Sequence, residues 1–219
     1  MQRHFDVSLR TLKDKIACMG EMVEQALHVS TTALFEGDAE KALAVKKGDH
    51  DIDMLEIQID EMAHELIALH QPAAVDLRFI TMSMKVTNAL ERMGDHAANI
   101  ASRAISISKE SEFNAHEALP GMVKATREIV DDAVNAFIQG NVDLANKVID
   151  ADDVVDDLYD TIYQATKRDL EKDSTRAALG LHMVMIGSNL ERIADLATNI
   201  AEDVIYAKQG KEIRHHTAD

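Results

Sequence analysis

Apolar residues recur along this chain at the spacing of a helix face almost from end to end. Leu9, Leu12, Ile16, Met19, Val23, Ala26 and Leu27 follow an i, i+3, i+4, i+7 pattern, which predicts an amphipathic first helix reaching about Phe35. Gly37 then suits a helix stop, and Asp38 an N-cap for the next helix. Ile52, Leu55, Ile59, Met62 and Leu66 give the stripe of a second helix that ends before Pro72. A third helix is expected to begin between Asp76 and Phe79 and to run to about Ile107. The stretch from Ser108 to Ala118 is polar and irregular and reads as a linker, with Pro120 in the first turn of the helix after it.

The pattern then starts again. Gly140-Asn141 stands 103 residues after Gly37-Asp38, and Asp49-x-x-Ile52-Asp53-x-Leu55 returns at that offset as Asp152-x-x-Val155-Asp156-x-Leu158. Ile59 likewise matches Ile162. The run from Leu90 to Ala101 (LERMGDHAANIA) returns 100 residues later, from Leu190 to Ala201, as LERIADLATNIA, identical at eight of twelve positions. The drop in offset places three extra residues in the first unit, around His70-Gln71-Pro72-Ala73. Repetition this close means two copies of one structural unit. The expected fold is all-α: two tandem, internally repeated three-helix bundles with six long helices, one over residues 1–112 and one over 113–219. Composition agrees, because 46% of residues are hydrophobic, only 4% aromatic, and Trp is absent, so Ala, Leu, Ile, Val and Met must fill the core. Met19, Met22, Met54, Met62, Met82, Met84 and Met93 mostly take apolar helix positions and read as core filling.

What the repeat keeps is chemical. Each copy holds a Glu, an Asp and an Asn spaced four apart: Glu91, Asp95 and Asn99, then Glu191, Asp195 and Asn199. On a helix such a triplet spans about 80° of arc and lies nearly opposite Leu90, Met93, Ala97, Ile100 and Ala104. Asp49, Asp53 and Asp60 make a second acidic stripe on the preceding helix, with Asp152 and Asp156 as the counterpart in the second unit. Two like charges at i and i+4 repel by a few tenths of a kcal/mol. A helix that repeats such a pair therefore implies a cation. Neighbouring helices with these stripes gather carboxylates into one surface groove, and such hard oxygen donors suit Mg²⁺, Mn²⁺, Ca²⁺ or iron. Arg92 and Arg192 leave open a purely structural ion-pair network, and a solvated acidic face is the plainest alternative.

The formal charge of −16 excludes direct nucleic-acid binding, which needs cations on the protein, and fits divalent cations or basic partner surfaces. Cys18 is the only cysteine, which suits a reducing cytosol, and its place on an amphipathic helix suggests a small core residue. The N-terminus has no apolar signal region and no run approaches 18 apolar residues, so a cytoplasmic chain without a membrane span is expected. A ferritin-like di-iron site would need Glu-x-x-His in both halves. Glu61 and His64 supply one, but Gln164 and Lys167 stand at the matching positions. No nucleophile–His–acid arrangement, glycine-rich phosphate loop or CxxC is visible.

The doubled LER(M/I)(G/A)D-x-A-x-NIA motif, the Asp-x-x-Ile/Val-Asp-x-Leu element and the run from Gln71 to Arg78 (QPAAVDLR) together resemble the PhoU family, the phosphate-specific transport system accessory proteins. The segments from Met19 to Gln25 and from Gly210 to His215 are similar to that family as well. The resemblance implies two PhoU-type three-helix bundles with multinuclear metal sites, of Fe, Mn, Mg or Zn, on their surfaces. Its motif ligands fall on Glu91, Asp95, Glu191 and Asp195, its second acidic element on Asp49, Asp53, Asp152 and Asp156, and its trailing amide on Asn99 and Asn199. Ala194 departs from the family's usual Gly, and its methyl is expected to crowd the second site. The resemblance further implies a homodimer and a negative regulator of the phosphate-starvation response, connecting a phosphate ABC transporter ATPase to a membrane sensor histidine kinase. The reading from another class is a metal-dependent enzyme that uses the same carboxylate clusters.

Overall fold

Glycine followed by a capping side chain makes the tightest turn in each half. Gly37 (φ +67°) and Gly140 (φ +61°) occupy the left-handed region that a side chain would disfavour. Directly after them, the Asp38 carboxylate accepts the N–H groups of Glu40 and Lys41 at 3.0 Å, and the Asn141 side chain accepts that of Leu144 at 3.1 Å. In this computed structural model, which describes residues 2–110 and 114–209, these turns separate α1 (Gln2–Glu36) from α2 (Ala39–His70) and α4 (Leu119–Gln139) from α5 (Val142–Lys172). The remaining long helices are α3 (Ala74–Ile107) and α6 (Ala177–Gln209), and no strand occurs among the described residues.

Two details depart from the expectations. α3 starts at Ala74, ahead of the Asp76–Phe79 range, because Val75 and Leu77 are exposed and the buried stripe begins only at Ile80. Periodicity therefore marks the first core contact and not the first helical residue. The three extra residues are Gln71–Ala73: His70 aligns with Asp173, which ends α5, and Ala74 aligns with Ser174. The second unit lacks this connector and enters α6 through a single 3₁₀ turn, Ser174–Arg176. In the connector, Gln71 takes a left-handed φ of +46° and its N–H returns to the Ile67 carbonyl at 3.1 Å, closing α2.

α1 packs on α2 and α3, and α4 packs on α5 and α6. The halves join where α3 meets α6 and α1 meets α4, so α2, α3, α6 and α5 form one layer with α1 and α4 behind it. One continuous core runs through both halves. It includes Leu12, Ile16 and Met19 of α1, Leu90, Met93 and Ile100 of α3, Met122 and Ile129 of α4, and Leu190, Ile193 and Ile200 of α6. Across α1 and α4, Arg127 pairs with Glu24 at 2.7 Å, and the Phe79 ring of α3 stacks on the Phe137 ring of α4 with centroids 5.0 Å apart. Cys18 is exposed, at the edge of the α1 stripe, and lines a groove between α1 and α2 with Met22 and Val45. The core-residue expectation for Cys18 is therefore corrected. Met54 is also exposed, whereas Met19 and Met93 are fully buried. The expected boundary between residues 112 and 113 and the segment from Gly210 to His215 lie outside the described residues. No described helix is long and apolar enough to cross a membrane.

A shared core means that damage in one half is felt in the other. Leu190→Ala, at a fully buried position of α6, is expected to cost about 2–5 kcal/mol. Calorimetry should show it lowering one common transition rather than splitting off a low-melting half; two separated transitions would contradict the single core.

Candidate metal-binding face

The acidic residues of α2 and α3 come together because the two helices pack side by side with their apolar stripes turned toward α1. Ile52, Ile59, Leu90, Met93, Ala97 and Ile100 are buried, which leaves the flanking polar stripes on the outer surface. There Asp49, Asp53 and Glu91 are half-buried, and Asp95 and Asn99 are exposed. α5 and α6 repeat this with Asp152 and Glu191 half-buried and Asp156, Asp195 and Asn199 exposed. Each groove holds the carboxylates that the sequence placed there.

Their electrostatics show which groups face each other. Burial, then the charges of Asp95 and Asp53, push the Asp49 carboxyl up to about 6. Burial, then Asp156 and Asp195, push Asp152 up to about 6, with the Thr198 hydroxyl acting weakly the other way. Glu91 is raised by burial and by Asp95, Glu56, Asp53 and Asp49; Glu191 is raised by burial and by Asp156 and Asp195. Asp156 rises for the same reasons, and Asp195 rises through burial against the pull of Arg192. Among the described residues, none of the ten candidate side chains forms an ion pair with a Lys or Arg.

Glu56 is a member of the first groove that sequence reasoning passed over. It accepts a hydrogen bond from the Asn88 amide at 3.3 Å and adds to the field at Glu91. The signal was present, since Glu56 fills the stripe between Asp53 and Asp60. Tyr159 holds the matching place in the second unit, so the two grooves carry different charge.

Hard cations fit this donor set in kind. Asp152 Oδ1 and Asp60 Oδ1 are buried with no hydrogen-bond partner, and the clustered carboxylates carry repulsion that a cation would relieve. Among the described residues, no three Asp, Glu, His or Cys side chains converge on one point, so an ion would have to draw exposed carboxylates inward by side-chain rotation.

The grooves are closer than two separate bundles would allow. α3 and α6 run antiparallel: Arg103 reaches the Met185 sulfur at 3.9 Å, His96 Nδ1 lies 2.9 Å from Asn189 Oδ1, and Lys85 lies 4.0 Å from Asp203. Near their crossing, Arg92, Asp95, His96 and Asn99 meet Arg192, Asp195, Leu196 and Asn199 around one cleft of about 380 Å³. The two acidic faces are thus two halves of one surface.

Gly94 sets the approach of α2 to α3. A Cβ at Gly94 would stand 3.0 Å from Ile52 Cδ1 and 3.3 Å from Asp49 Oδ1. The second unit has Ala194 there, but faces it with Val155, which lacks that δ-methyl. The repeat thus pairs Gly with Ile in the first unit and Ala with the smaller Val in the second.

A family model described as the PhoU domain matches residues 16–104 and again residues 119–204. The chain is 38% identical over 207 residues to the phosphate-specific transport system accessory protein PhoU homolog of Aquifex aeolicus, covering 94% of both chains. It is 30% identical over 215 residues to the Escherichia coli phosphate-specific transport system accessory protein PhoU, covering 98% of this chain and 89% of that one. Among solved structures, PhoU from Pseudomonas aeruginosa superposes with a TM-score of 0.90 at 33% identity, over 94% of this chain and all of that one. The phosphate transport system regulatory protein PhoU from Streptococcus pneumoniae gives 0.89 at 30% identity, over 96% of this chain and all of that one.

Raised carboxyl pKa values carry a sign for stability. The folded state holds protons on Asp49 and Asp152 that the unfolded chain, near 3.8, has already released, so these groups favour folding less as pH rises from about 4 to about 6. Metal-free protein should gain thermal stability between pH 7 and pH 5, and Asp49→Asn with Asp152→Asn should remove most of that gain. Asp38 and Asp173, whose carboxyls are lowered by helix-cap hydrogen bonds, act the opposite way and at lower pH. The packing at Gly94 gives a second check. Gly94→Ala is expected to cost about 1–3 kcal/mol, and adding Ile52→Val should recover part of it in denaturant unfolding; strictly additive losses would reject the shared gap.

Proposed function

The chain belongs to the PhoU family, and from that premise we propose that it is a cytoplasmic, metal-binding regulatory adaptor rather than an enzyme. In this reading it is an accessory of phosphate transport that holds down phosphate uptake and the phosphate-starvation response when phosphate is plentiful. It does so by linking the ATPase of a phosphate ABC transporter to a sensor histidine kinase, and it works as a homodimer. The observation that carries the reading is the in-order, nearly full-length similarity to proteins named as phosphate-specific transport accessories.

The doubled carboxylate surface supplies the metal part. Asp49, Asp53, Glu91, Asp95 and Asn99 would hold cations in the first groove, and Asp152, Asp156, Glu191, Asp195 and Asn199 in the second. Bound iron, manganese, magnesium or zinc would offset the mutual repulsion of these groups and stiffen the layer formed by α2, α3, α6 and α5. An acidic surface of this breadth also suits docking on basic patches of partner proteins.

Deleting the coding sequence in its host should derepress a phosphate-starvation reporter in high phosphate, and the wild-type chain should restore repression. Tagged protein should retain the transporter ATPase and the sensor kinase. Neutralising one groove with Asp49→Asn, Asp53→Asn, Glu91→Gln and Asp95→Asn should lower the metal content of tag-free protein by about half. Unchanged repression in the deletion strain would reject the regulatory reading; metal below stoichiometric amounts in the wild type would reject the metal reading.

A further inference from the structure

Among the described residues, the arginine of the motif, retained in both copies, forms no ion pair in either groove, although the Arg192 charge acts on Glu191 and Asp195. Arg92 and Arg192 are exposed, and among the described residues neither makes an ion pair or a hydrogen bond despite the surrounding carboxylates. What the two share is a place. The antiparallel crossing of α3 and α6 brings them from 100 residues apart to the walls of one cleft, with Asp95, Asp195, Asn99, Asn199 and His96. The rest of the wall is partly committed. Asn199 Nδ2 donates to the Asp195 carbonyl at 2.8 Å, and His96 Nδ1 is engaged by Asn189 at 2.9 Å. Those contacts leave the Asn199 side-chain oxygen and His96 Nε2 uncommitted.

From this juxtaposition we infer that the cleft binds inorganic hydrogen phosphate, with Arg92 and Arg192 clamping its acceptor oxygens and Asp95 or Asp195 accepting its O–H. Two guanidinium forks that belong to different repeats and make no ion pair at contact distance are a ready clamp for a tetrahedral oxyanion. The adjacent aspartates decide which oxyanion. A fully deprotonated anion meets only repulsion from them, whereas an anion that still carries a proton converts one repulsive contact into a hydrogen bond. Sulfate has the same shape and no proton to give. A site built to accept a ligand O–H rejects the analogue without it, because its own polar group is then left unpaired. The volume of about 380 Å³ admits the ion with part of its hydration. The cleft shares Asp95, Asn99, Asp195 and Asn199 with the grooves of the proposed metal reading, whereas Arg92 and Arg192 belong to the cleft alone, which is why the test is run with and without metal.

The test is calorimetric titration of inorganic phosphate and of sulfate into the full chain, once stripped with chelator and once saturated with Mg²⁺, with metal content measured separately. Saturable phosphate binding is expected in at least one form, with sulfate at least about tenfold weaker. Arg92→Gln combined with Arg192→Gln should weaken phosphate at least about tenfold while leaving the circular dichroism and metal content unchanged. Equal affinity for the two anions, undiminished binding in the double variant, or no saturable phosphate binding in either form would overturn the inference. Because metal content is read independently, failure of the metal reading and failure of the phosphate site give different results.

Discussion

The packing of α3 against α6 determines how everything else in this molecule is placed. Each helix carries one repeat's motif, and each turns its buried residues (Leu90, Met93, Ala97 and Ile100, or Leu190, Ile193, Ala197 and Ile200) into the common core. Fully burying a Leu, Ile or Met side chain contributes about 1.5–3 kcal/mol. Repulsion between two exposed carboxylates four residues apart amounts to only a few tenths. Core packing therefore wins by a wide margin, and the acidic stripes go wherever the apolar stripes leave them. They are left on the outer face of the layer of α2, α3, α6 and α5, where the antiparallel crossing sets the two copies edge to edge.

Charge collected in this way is held under tension. Asp49 and Asp152 sit deepest in their grooves, and burial plus neighbouring carboxylates lifts both to about 6. Asp152 Oδ1 additionally lacks a hydrogen-bond partner. A fold that needed these faces only for solubility would gain by spreading the charge. Instead, Gly94 lets α2 approach closely enough that Ile52 and Asp49 pack against the motif helix. On the outer side of the grooves Asp95, Asp156 and Asp195 are exposed.

Much of this was legible before the structure, and the limits have physical reasons. The Gly37-Asp38 and Gly140-Asn141 turns were readable because left-handed φ and side-chain capping are local requirements. The offset between repeats located Gln71–Ala73 because insertion length is arithmetic. The relation between the halves was not readable, since periodicity reports that a helix has a buried face and not which helix covers it. The expectation of two tandem three-helix bundles holds, and the structure adds how they meet: α3·α6 and α1·α4 packing joins them around one core. For the same reason Cys18, at the border of its stripe, was placed on the wrong side, and the start of α3 was put at its first core contact. Glu56 escaped notice because it interrupts a four-residue spacing while remaining on the same face.

Duplication explains why the surface is built from pairs, and divergence explains why its halves are unequal. Glu56 faces the first groove where the second has Tyr159, and Tyr159 packs so close to α6 that a Cβ on Gly187 would stand 2.8 Å from its ring. The first groove therefore has a carboxylate where the second has a ring that closes against α6. Across the crossing, His96 makes a polar contact with Asn189 where Leu196 is buried. A pseudo-symmetric surface with Glu56 on one arm, Tyr159 on the other and a mixed-charge centre has a direction. It offers two unlike arms built from a single repeated helix.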